Sequence, residues 1–452
     1  MATAPLPDLS TETRAAIGRA REQLDDERIA ELVLAMTAIP SPTGEERALA
    51  EYVSRHFADA GVEAEVQAID DRQANVIGRI RGTGEGPSLM VYAPLDTAFS
   101  GQPGEDRPWL GSDVRDDFSL VPRRDGTRIV GMGAENPKGY AAAAIVALEA
   151  IAAAGIEIRG EAIVALASGS MPVDGRPGFD RRPLGHGSGI GELLDAGALP
   201  DFAIVLKPGY SVVHEEVGLA WFKLIVHGTV NYTGIRHKGP YANPIVAAAR
   251  LVTAIEAWFP AYTASNSAGL VAPQGSINAI RAGSSDRTAF IPATCEIDLD
   301  LRVAPASSPA DVRRQLEGAL DQIRAGDPDL DVELVPTAAL PGTTTDPENW
   351  VVRSLVRAWE AQEGRVHEPV GRGSGATDGA IIRGHGIPTA RIGLPPAATP
   401  TPNPYPGFSM GVVDVTSIHR LAEVLIGAII DTVSRTRDDV GLTTARRGAR
   451  AI

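Results

Sequence analysis

Residues 140–155 read YAAAAIVALEAIAAAG, an alanine-rich run whose small residues favour a helix. Two short apolar runs flank it, PSLMVYAPLD at 87–96 and EAIVALASGS at 161–170, and both have the length and composition of buried strands. A strand, a helix and a second strand in that order call for parallel pairing with a crossover, which restricts the chain to an α/β architecture. ANVIGRIRG at 74–82 and DFAIVLKPG at 201–209 extend the same sheet. Upstream, ERIAELVLAMTAI reads as a helix, and Ser41 or Thr43 in IPSPTGEERALAEYVSRHFADAG can cap a second one with acids in its first turn.

From about Val217 the rhythm changes. Strand LAWFKLIVHGTV, helix NPIVAAARLVTAIEAWF, strands INAIRAG and TCEIDLDLRVAP, helix SPADVRRQLEGALDQIRAG and strand DVELVPTA follow in that order. This is a split βαβ pattern, with its own sheet and two helices on one face. The outer core resumes with helix WVVRSLVRAWEAQEG, loop GRGSGATDGA, strand PTARIG and a last helix around HRLAEVLIGAIIDTVSRT. The expected organisation is a core α/β domain over 1–216 and 339–440, an inserted ferredoxin-like α+β domain over 217–338, and a loose tail over 441–452.

Composition excludes several function classes. With 452 residues and 44% hydrophobic content, the chain has material for two buried cores. A net charge of -15 argues against a general nucleic-acid surface, which needs clustered basic residues. The N-terminal stretch lacks the apolar core of a signal peptide and no later run approaches a membrane span, so a cytoplasmic location is expected. The single cysteine, Cys295, sits in a strand-like setting and reads as a packed core thiol.

Seven short motifs carry the functional signal: PLDT at 94–97, GMGAENPKG at 131–139, ASGS at 167–170, LKPG at 206–209, SINAI at 276–280, GATDGA at 375–380 and GIPTARIG at 386–393. Taken in order, they resemble the dinuclear-zinc metallohydrolase family of aminoacylases, acetylornithine deacetylases, succinyl-diaminopimelate desuccinylases and glutamate carboxypeptidases. The resemblance runs from Ile39 to the last helix. It implies a mostly parallel core sheet flanked by helices and an inserted domain that serves as lid and dimerisation surface, hence a homodimer.

The same resemblance marks where this chain departs. The family's His-x-Asp element reads Pro94-Leu95-Asp96, so a metal-binding histidine is missing. Asp-x-Lys-Gly reads Asn136-Pro137-Lys138-Gly139, which replaces a bridging carboxylate by an amide. Asp-Glu-Glu reads Ser168-Gly169-Ser170, and the acid before a proline at the next strand end is Lys207 before Pro208. No histidine lies between His385 and His419, where the last ligand is expected. Zinc needs three or four His, Cys or carboxylate ligands, so the expectation is a chain without bound metal or other cofactor.

Lys207 is the candidate replacement for the lost positive charge, with Asp96 as the retained acid facing it. A Lys–Asp pair avoids burying an unpaired charge, and a desolvated lysine can act as base, nucleophile or carbonyl polariser. Lys138, Asn136, Ser170, Thr377 and Asp378 are candidate substrate contacts, although Lys138 could be a surface cation and Thr377 and Asp378 could cap a helix. Ser168 and Ser170 lack a Gly-x-Ser-x-Gly elbow and any His–Asp support in sequence. Glu135 and His186 are acids or bases that could turn toward the pocket. By resemblance, Asn278 and Arg302 of the inserted domain hold a substrate carboxylate, Arg302 through its planar fork. The lid histidine of the family corresponds to His237 or, by spacing from Gly228, to Tyr232.

These residues point to a metal-independent hydrolase acting on an amide or imide C–N bond of a small carboxylate-bearing substrate. Two alternatives stand beside it: a lyase or isomerase needing only proton transfer, and a noncatalytic small-molecule-binding protein.

Overall fold

The computed structural model describes residues 6–111, 115–176, 178–239, 241–397 and 410–442. The chain divides into two compact units. One comprises Met1–His214, Thr345–Pro369 and Thr377–Ile452; the other comprises Glu215–Thr344 and Val370–Ala376. The insertion therefore begins close to the expected 217 but returns at Thr345 rather than 339. It also recruits residues 370–376, which sequence periodicity assigned to the core. The reason is local: Val271 bridges to Gly373, and the backbone of Ala272 donates to the Gly373 carbonyl at 2.9 Å. Most of the tail expected to be loose, beyond residue 442, lies outside the described residues.

The first unit is built on a six-stranded sheet. In spatial order its strands are Glu63–Ala68, Ala74–Arg81, Glu161–Ala167, Ser88–Pro94, Phe202–Leu206 and Thr389–Ile392. The last four run parallel and the first two pair antiparallel at one edge. The edge strand Glu63–Ala68 is polar and half-exposed, which is why its sequence, EAEVQA, lacks the apolar signature of the others.

Side-chain alternation splits the sheet into two faces. Leu89, Val91 and Ala93 pack with the helices Lys138–Ala153, Trp350–Glu363 and Val415–Val433. Met90 and Tyr92 turn the other way, into a smaller core with Ile190, Leu193 and Ile382 from the helices Ser188–Asp195 and Gly379–Gly384. Residues 138–151 of the alanine-rich helix are all buried. Small side chains let that helix lie close to both the sheet and its helical neighbours.

The second unit is a four-stranded antiparallel sheet with the spatial order Gly275–Ala282, Thr294–Val303, Gly218–His227, Val332–Leu340. Helices Pro244–Asn266 and Pro309–Gly326 lie against it, giving the ferredoxin-like arrangement. The second of these helices begins with a capping box, Ser308 and Asp311 satisfying each other's backbone N–H groups. Its core includes Leu224, Ile255, Leu299, Leu316 and Cys295, so the lone thiol is a packing residue.

Contrary to the expectation that no run approaches a membrane span, Pro244–Asn266 is long and apolar enough to cross one by length and composition. In this unit it lies on the sheet, burying Leu251, Ile255 and Phe259.

Candidate functional site

Three parallel strands of the first unit end on the same edge of the sheet, and each delivers a polar residue there. Ser88–Pro94 continues into Asp96, Glu161–Ala167 into Ser168–Ser170, and Phe202–Leu206 into Lys207. The carboxyl ends of parallel strands are where open α/β sheets place ligand sites, because the chain leaves the sheet there and opens a crevice.

Asp96 is fully buried. Its Oδ1 accepts from the Ser170 backbone N–H at 3.0 Å, and its Oδ2 accepts from Met171 N–H at 2.8 Å and the Thr43 hydroxyl at 2.9 Å. Burial raises its pKa, opposed by the Met171 N–H, the charge of Lys207 and the Thr43 hydroxyl. Lys207 is 7% exposed, and its ammonium donates to Ser170 Oγ at 3.0 Å. The expected direct Lys207–Asp96 pair is therefore corrected. The lone pairs of Asp96 are engaged by two backbone N–H groups and a hydroxyl, and Lys207 acts on the carboxylate through space while contacting the serine.

The site also holds more negative charge than the one acid expected. Asp378, at the start of helix Gly379–Gly384, is buried and makes no capping bond; its carboxylate instead accepts from the Tyr92 hydroxyl, with the Ser170 hydroxyl near enough to lower its pKa. Burial raises its pKa, against the pull of Lys207 and the two hydroxyls. The phenol of Tyr92, fully buried, is pushed well above its usual range by burial and then by Asp378.

Glu46 is the third acid, and no motif pointed to it. Its Oε1 accepts from Gly44 N–H and Gly169 N–H, both at 3.0 Å, while Oε2 is buried without a hydrogen-bond partner. Burial and the neighbouring Asp96 push it up to about 8. Lys207 thus acts on two buried carboxyl groups, Asp96 and Asp378, while the third, Glu46, neighbours Asp96. The raised carboxyl pKa values come first from burial, with repulsion from Asp96 adding to Glu46 and, least of its causes, to Asp378.

The comparisons with known proteins agree with this architecture. Residues 214–328 match the Peptidase dimerisation domain of the M20 group. Solved structures share the whole fold at low identity. The di-peptidase Dug1p of Saccharomyces cerevisiae superposes with a TM-score of 0.69 at 11% identity, covering 94% of this chain and 100% of its own. The YXEP protein of Bacillus subtilis, described as a dinuclear metal-binding peptidase of the M20 family, gives 0.59 at 16%, covering 90% and 98%. An amidase of the hydantoinase/carbamoylase family from Burkholderia multivorans gives 0.59 at 15%, covering 91% and 99%. The chain has the M20 fold, including the dimerisation domain.

The residues at the strand ends do not fit a dinuclear metal group. Both oxygens of Asp96 already accept hydrogen bonds, Glu46 has one oxygen tied to two N–H groups, and Asp378 accepts from the Tyr92 hydroxyl. An ammonium stands beside Asp96 and Asp378, where a dication would be repelled. Among the described residues no set of three or more His, Cys, Asp or Glu is arranged to hold a metal ion.

Of the other predicted residues, Thr377 accepts from Gly379 N–H at 3.1 Å, a bond at the start of the short helix. Lys138 is corrected more sharply. It is neither a surface cation nor a residue lining a cleft: it is fully buried, and its ammonium donates to the Ile39 carbonyl at 2.8 Å. Asn136 is part-buried with its Oδ1 enclosed and without a hydrogen-bond partner. Glu135, raised to about 7 by burial, accepts from the Tyr140 hydroxyl at 3.4 Å. His186 lies 3.7 Å from Asp174.

In the second unit Asn278 falls at an irregularity of the edge strand, between Ile277 and Ala279. Arg302 is held by Asp300 at 2.8 Å. His237 is on the exposed turn Thr233–Lys238, and Tyr232 packs against Phe290 with ring centroids 5.6 Å apart. Asn278, Arg302 and the segment carrying Tyr232 and His237 thus lie on three stretches of that unit. The sequence signal that could have found Glu46 is the TGEE turn itself: an acid opening a helix immediately after a glycine, beside a strand-end cluster.

Proposed function

We propose that this chain is a hydrolase of an amide or imide C–N bond in a small carboxylate-bearing substrate, working without bound metal. The observation that carries the reading is the Lys207 ammonium held 3.0 Å from Ser170 Oγ at the convergence of three parallel strand ends. The M20 fold, whose solved examples include a di-peptidase and an amidase, supports hydrolysis over the other reaction classes. A fixed cation at a buried site can polarise a carbonyl and stabilise the charge that develops on its oxygen, the task a metal performs in other hydrolases.

In this reading Lys207 supplies that stabilisation. Asp96 fixes the turn 168–171 through the Ser170 and Met171 N–H groups. Arg302, Asn278 and His237 or Tyr232 take the substrate carboxylate, as the family resemblance implies, and the match to a dimerisation domain over 214–328 supports a homodimer formed through the second unit.

The test is an assay of N-acyl amino acids, dipeptides and cyclic imides, run with and without a chelator on wild type and Lys207→Met. The expected result is turnover indifferent to chelator and lost in the variant. Chelator-sensitive turnover with stoichiometric zinc in the protein overturns the metal-free reading. Stoichiometric ligand binding without turnover across the panel overturns the enzyme reading in favour of a binding protein.

A further inference from the structure

Ser170 has so far served only as a partner for other groups, yet its own position is the most specific in the cluster. Gly169 precedes it with φ +63, and a Cβ there would meet the Leu184 carbonyl oxygen at 2.3 Å and Ser188 Oγ at 2.6 Å. That left-handed turn, open to glycine alone, sends the two neighbouring serines to different partners. Ser168 faces Asn75, its N–H and hydroxyl both on Oδ1, while Ser170 faces Lys207. The Ser170 hydroxyl accepts from Lys207 Nζ at 3.0 Å and neighbours Asp378, whose pKa it lowers and whose carboxylate accepts from the Tyr92 hydroxyl. The backbone beneath it is pinned, Ser170 N–H and Met171 N–H both resting on Asp96. Asp96, Lys207 and Asp378 are buried, whereas Ser170 is only partly so.

We propose that Ser170 is the nucleophile of this enzyme, Asp378 the base that takes its proton, and Lys207 the cation that stabilises the oxygen as it becomes negative. The proposal rests on the C–N hydrolase reading and specifies its chemistry. A hydroxyl with a hydrogen-bonded base, the base in turn oriented by a third group, is the general arrangement of an activated nucleophile.

In the first step the Ser170 O–H bond breaks and its proton passes to the Asp378 carboxylate. Oγ bonds to the carbonyl carbon, and the resulting tetrahedral oxyanion forms beside the Lys207 ammonium. Collapse breaks the C–N bond, the proton moves from Asp378 to the leaving nitrogen, and an acyl ester remains on Ser170. Water then gives a proton to Asp378 while its oxygen adds to the ester carbonyl. Ser170 Oγ departs and recovers the proton from Asp378. The sum is amide plus water to acid plus amine, with no redox change and no further reactant.

The test uses a probe independent of the unknown substrate. The full-length chain is incubated with an alkyl fluorophosphonate, which phosphonylates an activated serine with loss of fluoride, and is then examined by intact mass and peptide mapping. The expected result is one adduct per chain on the peptide containing Ser170. The adduct should be absent in Ser170→Ala and should form at least about tenfold more slowly in Lys207→Met and Asp378→Asn. Circular dichroism and thermal melting of Ser170→Ala confirm that the loss is not unfolding.

No adduct on wild type, or one on another serine such as Ser168, overturns the proposal. The same outcomes separate it from the reading it rests on. Turnover of the amide panel without a Ser170 adduct leaves the hydrolase and removes the nucleophile. An adduct without turnover of any C–N substrate keeps the nucleophile and removes the substrate class.

Discussion

Lys207 and Lys138 belong to the same unit, both nearly or wholly buried, and their surroundings are opposite. Lys138 opens the alanine-rich helix and has one polar contact, a neutral carbonyl; burial alone lowers it to about 7. Lys207 leaves a strand end beside Asp96 and Asp378, with a hydroxyl at hydrogen-bonding distance. Burial by itself lowers a lysine's pKa and weakens its hold on the charge. Beside carboxyl groups and a hydroxyl, a buried lysine belongs to a polar cluster that a reactant can use. The first is an interior accommodation and the second is a site, although both arise from short motifs of similar appearance, NPKG and LKPG.

The sharpest way to break the distinction is to delete each cation. Lys207→Met should lower kcat/KM on whichever amide the panel identifies by about 10³-fold, the usual cost of removing a fixed oxyanion-stabilising charge. Urea unfolding with an unchanged m-value would show that the fold survives. A loss below tenfold would reduce Lys207 to a structural neutraliser.

Glu46 sharpens the comparison through pH. Its folded pKa, about 8, lies above the ordinary value of 4.5, so the folded state holds its proton over a range in which the unfolded chain has released it. Stability from this group is fully present below about 4.5 and is lost as pH rises through about 8. Its contribution falls by roughly 1.4 kcal/mol per pH unit across that window. Glu46→Gln keeps the acceptor for Gly44 and Gly169 and cannot ionise. It should therefore flatten the decline in unfolding free energy between pH 5 and 8 by about 2 to 4 kcal/mol in total. Parallel wild-type and variant curves would show that the acid is not buried as a proton holder.

Lys138 gives the converse slope. Its folded pKa of about 7 is below the ordinary 10.5, so the unfolded state binds more protons between those values and wild-type stability rises with pH across them. Lys138→Met should stabilise the protein by about 1 to 3 kcal/mol at pH 6, where the buried amine is otherwise forced to charge. The gain shrinks toward pH 10, and activity should be unchanged. Destabilisation at pH 6 would mean that the bond to the Ile39 carbonyl outweighs desolvation.

How far the sequence could separate these two lysines depends on what each is surrounded by. The alternation of strands and helices was enough for the parallel sheet and the inserted α+β unit, because periodicity records which side of an element is buried. Asp96 and Lys207 were singled out by the family resemblance, whose motifs they interrupt or retain, and both lie just past strand ends. Glu46, Tyr92 and the role of Asp378 were not readable in this way. Tyr92 lies inside an apolar run and signals only a core residue; its meeting with Asp378, 286 residues later, follows from which face of the sheet it occupies and from the helix that Asp378 precedes. Lys138 looked like a motif lysine because sequence shows spacing but not the depth of the helix that carries it.

Tyr92→Phe is the finest probe of that hidden contact. It removes the hydroxyl that, with Lys207 and Ser170, lowers the Asp378 carboxyl against burial, and it leaves the ring packed among Met90, Ile163 and Ile382. Losing one donor moves Asp378 further upward, so less of it is ionised at a given pH. If Asp378 must be a carboxylate to accept a proton from Ser170, the acidic limb of the pH–rate profile shifts to higher pH by less than about one unit, with a several-fold loss of rate on that limb and recovery at higher pH. A merely structural tyrosine would lower rate equally at all pH values or leave it unchanged. The slope of that limb therefore separates an Asp378 that exchanges protons with Ser170 from one that only fills the space beside Lys207.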